Sequence, residues 1–149
     1  MNCFIRCHHH VDKEVEDLLL CAQEARVRAY TPYSKFRVGA ALLTEDGSLV
    51  PGCNVENISF GLTICAERNA IARAVGEGHR TFKAIGVVAD MKDKFVTPCG
   101  ACRQVIVEFS VDCEVYLGRP DGAYVKTTID KLLPDAFTPH VANLESLTK

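Results

Sequence analysis

The chain has almost no net charge, no long unbroken apolar stretch, no internal repeat and no linker-like segment. Seventeen Lys and Arg against nineteen Asp and Glu leave a formal charge of −2, so there is no basic footprint for a polyanion and nucleic acid is excluded as the expected partner. Charges interrupt every apolar run, as around Leu18-Leu19-Leu20, and none reaches the roughly 20 residues of a membrane span. No membrane partner is expected. Met1-Asn2-Cys3-Phe4-Ile5-Arg6 leads into histidines without an apolar signal core, which predicts a reducing, cytoplasmic location. What remains is a small, uncharged partner. With 149 residues, 48% of them hydrophobic, the chain suits one domain that buries roughly two thirds of its unfolded surface.

Against these absences stand eight cysteines. In a reducing compartment they do not read as a disulfide framework. Cys21, Cys53 and Cys113 sit in apolar surroundings and read as small core hydrophobes. Cys3, Cys7 and His8-His9-His10 form a metal-capable tract, read as part of a flexible tail over 1–11 that binds metal only adventitiously. The domain is expected over 12–138, with a polar, loosely held tail over 139–149.

Between the tails the apolar pattern changes period several times. Val15, Leu18, Leu19, Ala22 and Ala25 fall at helical spacing between Asp12 and Ala29, and Thr31-Pro32 stops the helix. Alternation through Phe36, Val38, Ala40 and Leu42 predicts a strand, and Glu45-Asp46-Gly47-Ser48 turns it into an antiparallel second strand over 49–55. A helix follows with Thr63 as N-cap, ending at Gly76-Glu77-Gly78. Ala84–Ala89 reads as a buried strand. Thr97 as N-cap with Pro98 at the first helical position predicts a helix to Phe109. Strands at 114–117 and 124–127 flank the turn Arg119-Pro120-Asp121-Gly122, and a short helix ends before Pro134. Two strand-helix-strand crossovers in this order predict an α/β, three-layer αβα fold with a mixed, mostly parallel five-stranded sheet.

Two short motifs carry chemistry: Cys65-Ala66-Glu67 and Pro98-Cys99-Gly100-Ala101-Cys102. Taken alone, Cys99 and Cys102 fit either a zinc site or a thioredoxin-like redox pair. A third thiol at another helix start favours the metal. Both starts offer the positive end of a helix dipole, which favours the thiolate. Three soft ligands leave a fourth position on zinc for water, as in a catalytic and not a closed structural site. Water so held is a hydrolytic nucleophile. Glu67, two residues after Cys65, does not share its helix face and can exchange protons beside the metal without binding it. Arg68 either draws charge off the thiolates or is an ordinary exposed helix arginine.

These motifs, with Tyr33-Ser34-Lys35-Phe36-Arg37-Val38-Gly39-Ala40, Gly52-Cys53-Asn54-Val55-Glu56-Asn57 and the continuation Arg103-Gln104, closely resemble the small homotetrameric cytidine deaminases, from the helix before Tyr33 to Phe137. The resemblance implies one Zn²⁺ per subunit held by Cys65, Cys99 and Cys102, with Glu67 as proton shuttle. It further implies a free nucleoside substrate, Asn54 and Glu56 on the ribose, Phe36 against the base, and backbone contacts from Ala66 and Thr97 to the base carbonyl and leaving amine. It sends the loop around Phe60, and Phe137, into the active sites of neighbouring subunits of a homotetramer. The family usually has Tyr where this chain has Phe60, so any contact there is apolar.

Overall fold

The computed structural model describes residues 12–144, so the Cys3, Cys7 and His8–His10 tract lies outside the described residues. Helix α1 (Lys13–Val27) starts on Asp12, whose carboxylate accepts from Glu14 N at 3.2 Å, a side-chain cap of the orphan amides. A hairpin follows, β1 (Val38–Thr44) and β2 (Leu49–Cys53), then α2 (Ala66–Gly76), β3 (Phe82–Ala89), α3 (Gly100–Phe109), β4 (Glu114–Gly118), β5 (Tyr124–Thr128) and the single-turn α4 (Ile129–Leu132).

The five strands lie in the order β2-β1-β3-β4-β5. Side chains alternate across the sheet with the period of two that a strand imposes. Ala40, Leu42, Ile85 and Val87 face a core shared with α2 and α3. Ala41, Leu43, Ala84 and Val88 face α1 through Leu18 and Ala22. Helices thus cover both faces, giving the expected three layers, and strands buried on both sides read as continuous apolar runs.

The expectation of a mostly parallel sheet is corrected. Only β3 and β4 pair in parallel, whereas β1–β2, β1–β3 and β4–β5 are antiparallel. The cause is the hairpin, which folds β2 outward and places β1 beside β3. Strands β2 and β3 still run in the same direction, with β1 between them. Their following helices therefore both begin at one edge of the sheet.

Two glycines set how closely the helices approach. A β-carbon on Gly39 would meet Ala22 O at 2.0 Å and Arg26 N at 2.4 Å; one on Gly52 would meet Ala70 N at 2.4 Å and Ala66 O at 2.5 Å. Glycine alone permits that backbone approach. Gly52 consequently lets the first turn of α2, with its chemical residues, lie directly on β2.

Candidate metal centre and substrate cleft

Both helices begin two residues later than the sequence predicts. Cys65 and Cys99, not Thr63 and Thr97, are the N-cap residues of α2 and α3. For α2 the reason is a backbone bridge: Ile64 and Val55 exchange N–H···O bonds of 3.0 Å each, holding Ile64 extended. For α3, the Thr97 hydroxyl is engaged by Arg103 Nη2 at 3.0 Å and does not cap the helix. Neither cap cysteine makes a side-chain cap hydrogen bond. Instead, the sulfurs of Cys65, Cys99 and Cys102 converge, all within 4.8 Å of one another.

The Cys65 and Cys99 sulfurs are 4.0 Å apart, close to the ~3.8 Å that tetrahedral zinc with ~2.3 Å Zn–S bonds requires. The donor chemistry fits as well. Cys102, hydrogen-bonded to Cys65, holds that thiol down at about 5 against the opposing effect of burial, with Arg68 acting in the same downward direction. Cys102 is correspondingly held high by its bond to Cys65, by burial and by Glu67. Arg68 Nη2 lies 3.5 Å from Cys65 Sγ and 3.4 Å from Thr63 O. Arg68 is thus half-buried against a sulfur of the cluster and is not an ordinary exposed helix arginine.

Glu67 is 5% exposed. Burial pushes its carboxyl up from the usual range, and the neighbouring Cys65 charge pushes the same way. Among the described residues, the metal-capable group contains the three cysteines and no carboxylate. Glu67 therefore stands beside the cluster and is not a fourth member of it. Three sulfur donors, an open fourth position and a buried, protonatable carboxyl can activate water and return its protons. No disulfide forms among the described cysteines; Cys113 is buried, as expected, while Cys21 and Cys53 are half-buried.

The predicted substrate residues fall on the adjoining loops. Asn54 is bound into the chain: its Oδ1 accepts from Val38 N at 2.8 Å and its Nδ2 donates to Phe36 O at 3.0 Å. The carboxamide thereby fixes the half-buried Phe36, and one N–H and one lone pair remain. Glu56 accepts from Tyr33 N at 2.9 Å, Ser34 N at 3.2 Å and the Ser34 hydroxyl. The hydroxyl first, then these amides, hold its carboxyl below the usual range. Lys35, at φ 58°, turns the chain so that Phe36 N donates to Ser34 Oγ at 3.0 Å.

A cavity of about 280 Å³ is lined by Tyr33, Ser34, Glu56, Phe60 and Thr63. A second of about 290 Å³, between α1 and the β4–β5 turn, contains none of the predicted residues. Phe60 is 70% exposed, and its ring lies tilted at 57° to that of Tyr33 with centroids 5.6 Å apart. Phe137 is 69% exposed, its carbonyl held by Gln104 Nε2 at 2.8 Å. Ala66 is buried at the foot of α2, and Thr97 lies exposed just before α3.

Sequence reasoning gave no role to Tyr33, Ser34, Arg103 or Gln104, although all four lie within its motifs. A Ser placed to cap a turn is the one local signal that marked Ser34. The partners of the others are distant in sequence.

The family model described as "Cytidine and deoxycytidylate deaminase zinc-binding region" matches residues 12–118. A cytidine deaminase of Sporosarcina psychrophila is 53% identical over 126 residues, covering 84% of this chain and 92% of that one. One from Halalkalibacterium halodurans is 54% identical over 123 residues, covering 82% and 92%. The solved structure of cytidine deaminase from Burkholderia pseudomallei matches with a TM-score of 0.78 at 48% identity, over 81% of this chain and 97% of that one.

Proposed function

The chain belongs to the zinc-binding cytidine and deoxycytidylate deaminases, and from that premise we propose that it converts cytidine and deoxycytidine to uridine and deoxyuridine with release of ammonia, a step of pyrimidine salvage. The observation that carries this reading is the convergence of three thiols beside a buried glutamate at the sheet edge. Cys65, Cys99 and Cys102 would hold one Zn²⁺ per subunit, which when bound would supply the positive charge that makes water nucleophilic toward C4 of the pyrimidine.

The chain's own residues do the rest. Glu67, whose pKa is raised by burial, takes a proton from the water and delivers it to N3, then takes the remaining proton from the hydroxyl now on C4 and passes it to the amine, which departs as ammonia. Arg68, next to Cys65 Sγ, offsets the charge of the thiolates. The low pKa of Glu56 keeps it an ionised acceptor for ribose hydroxyls, while Asn54 offers its remaining N–H beside it. Phe36 forms the wall against the base. The backbone of Ala66 and Thr97 addresses the base carbonyl and the leaving amine.

Completion of the cleft comes from other copies of the chain. Ile58, Phe60 and Leu62 stand exposed on the loop that lines the cavity, and Phe137 and Val141 on the C-terminal segment. Apolar residues grouped in this way mark a surface that another chain covers, here the neighbours of a homotetramer with shared active sites. No described helix is long and apolar enough to cross a membrane; the working location is the cytoplasm, where thiols stay reduced.

Purified protein should remove the ultraviolet absorbance of cytidine and release ammonia in equal amount, while Glu67→Gln should not. Absence of turnover by the zinc-loaded protein on both nucleosides would overturn the assignment.

A further inference from the structure

We propose that Arg103 is a positioning residue for the reaction, holding the Thr97–Pro98 turn in the place from which the Thr97 backbone meets the leaving amine. Three donors of its guanidinium are used at once. Nε donates to Pro98 O at 2.7 Å, Nη2 to Thr97 Oγ1 at 3.0 Å, and Nη1 to Leu132 O at 2.7 Å. Its own backbone N–H donates to Cys99 O at 2.9 Å and closes the first turn of α3. One residue thus starts the helix with its main chain and reaches back with its side chain to grip the two residues before the cap.

The grip serves position more than charge. All three side-chain acceptors are neutral, and Arg103 pairs with no carboxylate among the described residues. Pro98 is fully buried, and its carbonyl lies ahead of the helical ladder, so it needs a donor from elsewhere. The exposed Thr97 has no such packing to fix it. A planar fork that meets acceptors on two separate segments sets both the distance and the orientation of the turn; an ammonium group offers a single point and cannot. The third acceptor, Leu132 O at the end of α4, ties the turn to a second element instead of leaving it to sway with the loop.

The consequence is specific to the nitrogen that leaves. This rests on the proposed role of Thr97, whose backbone receives the amine that departs as ammonia when water adds at C4 and the C4–N bond breaks. A pyrimidinone riboside with methoxy in place of that amine yields the same uridine and loses methanol, and it has no N–H to offer Thr97. Loosening the turn should therefore harm cytidine more than the methoxy analogue.

The test is Arg103→Lys in the zinc-loaded protein, with zinc content, Tm, and kcat and KM on both substrates. We expect full zinc, KM for cytidine near that of the unsubstituted protein and kcat down about 10- to 100-fold, the size of effect that a displacement of ~1 Å produces. The methoxy analogue should lose less than about threefold. Equal losses on both substrates, unchanged kcat, or zinc lost in step with activity would each overturn the positioning role. Thr97→Val, which removes one acceptor and leaves the guanidinium intact, should show the same bias toward cytidine at smaller size and serves if Arg103→Lys does not fold. Cytidine turnover by the unsubstituted protein is the control that separates failure of this inference from failure of the deaminase assignment.

Discussion

The metal cleft and the substrate-side loop touch each other but are built in opposite ways. At the cleft, Glu67 and Cys102 are buried, and Cys65 and Cys99 are brought together by two helices anchored on the sheet. The three sulfurs, Glu67 and Arg68 all come from one chain. The loop that follows Glu56 is held by a few local hydrogen bonds, from Asn57 N to Thr63 Oγ1 and from Ser59 N to Asn57 Oδ1, and presents Ile58, Phe60 and Leu62 to the outside. The sulfurs converge beside a buried glutamate, whereas the loop leaves its apolar side chains open. Bond-making atoms must be held to fractions of an ångström, and an apolar wall tolerates being supplied by another molecule.

The comparison breaks first if the cleft does not depend on all three thiols. Cys65→Ala should lose zinc and turnover together, read as metal per chain by atomic absorption alongside the deamination rate. Full-affinity zinc binding by that variant would leave Cys99 and Cys102 as an independent pair and end the single-centre reading.

Next in size is Glu67→Gln, which keeps the metal ligands and removes the proton carrier. Zinc content should stay at one per chain while kcat falls by at least about 10²- to 10⁴-fold, the usual worth of general acid-base catalysis. Turnover retained with zinc bound would move proton transfer to another group.

On the loop side, Glu56→Gln should reduce kcat/KM for cytidine by about 10- to 100-fold, as expected when a charged hydrogen-bond acceptor is lost. Free cytosine, which lacks the ribose that positions the base, should be a poor substrate before and after the change. The informative measurement is the ratio of the two efficiencies. A ratio near one in the unsubstituted protein would remove the ribose-binding role.

The smallest effects should come from the exposed aromatics. Truncating a hot-spot aromatic in an interface costs about 2 kcal/mol, roughly 30-fold, so Phe60→Ala and Phe137→Ala should lower turnover and weaken assembly in sedimentation. Because Phe60 has no hydroxyl, Phe60→Leu should be milder than Phe60→Ala. A fully active monomer would show that the cleft and the loop are both complete within one chain.

How much of this was legible in the sequence follows the range of the interactions involved. The element order, the turn residues and the alternation through Val38, Ala40 and Leu42 are local patterns, and the structure places them as expected, although Phe36, read into the same strand, precedes its start at Val38. The thiol and carboxylate motifs were equally visible, since a metal's preference for soft donors is written in residue type and spacing. Helix starts were misjudged by two residues, because a bridge from Ile64 to Val55 and a guanidinium from the next turn overrode the capping preference of Thr63 and Thr97.

Sequence by itself determined which reactive groups this protein brings to its metal centre: three sulfurs and a neighbouring glutamate. Tertiary structure alone decided where these groups stand. It inserted β1 between β2 and β3, making the sheet mostly antiparallel. It let α2 settle on Gly52 and joined Arg103 to Leu132, 29 residues away. Residue type fixes the reactivity of a side chain, but strand pairing and close backbone approach depend on contacts between segments far apart in the chain, which no local pattern encodes.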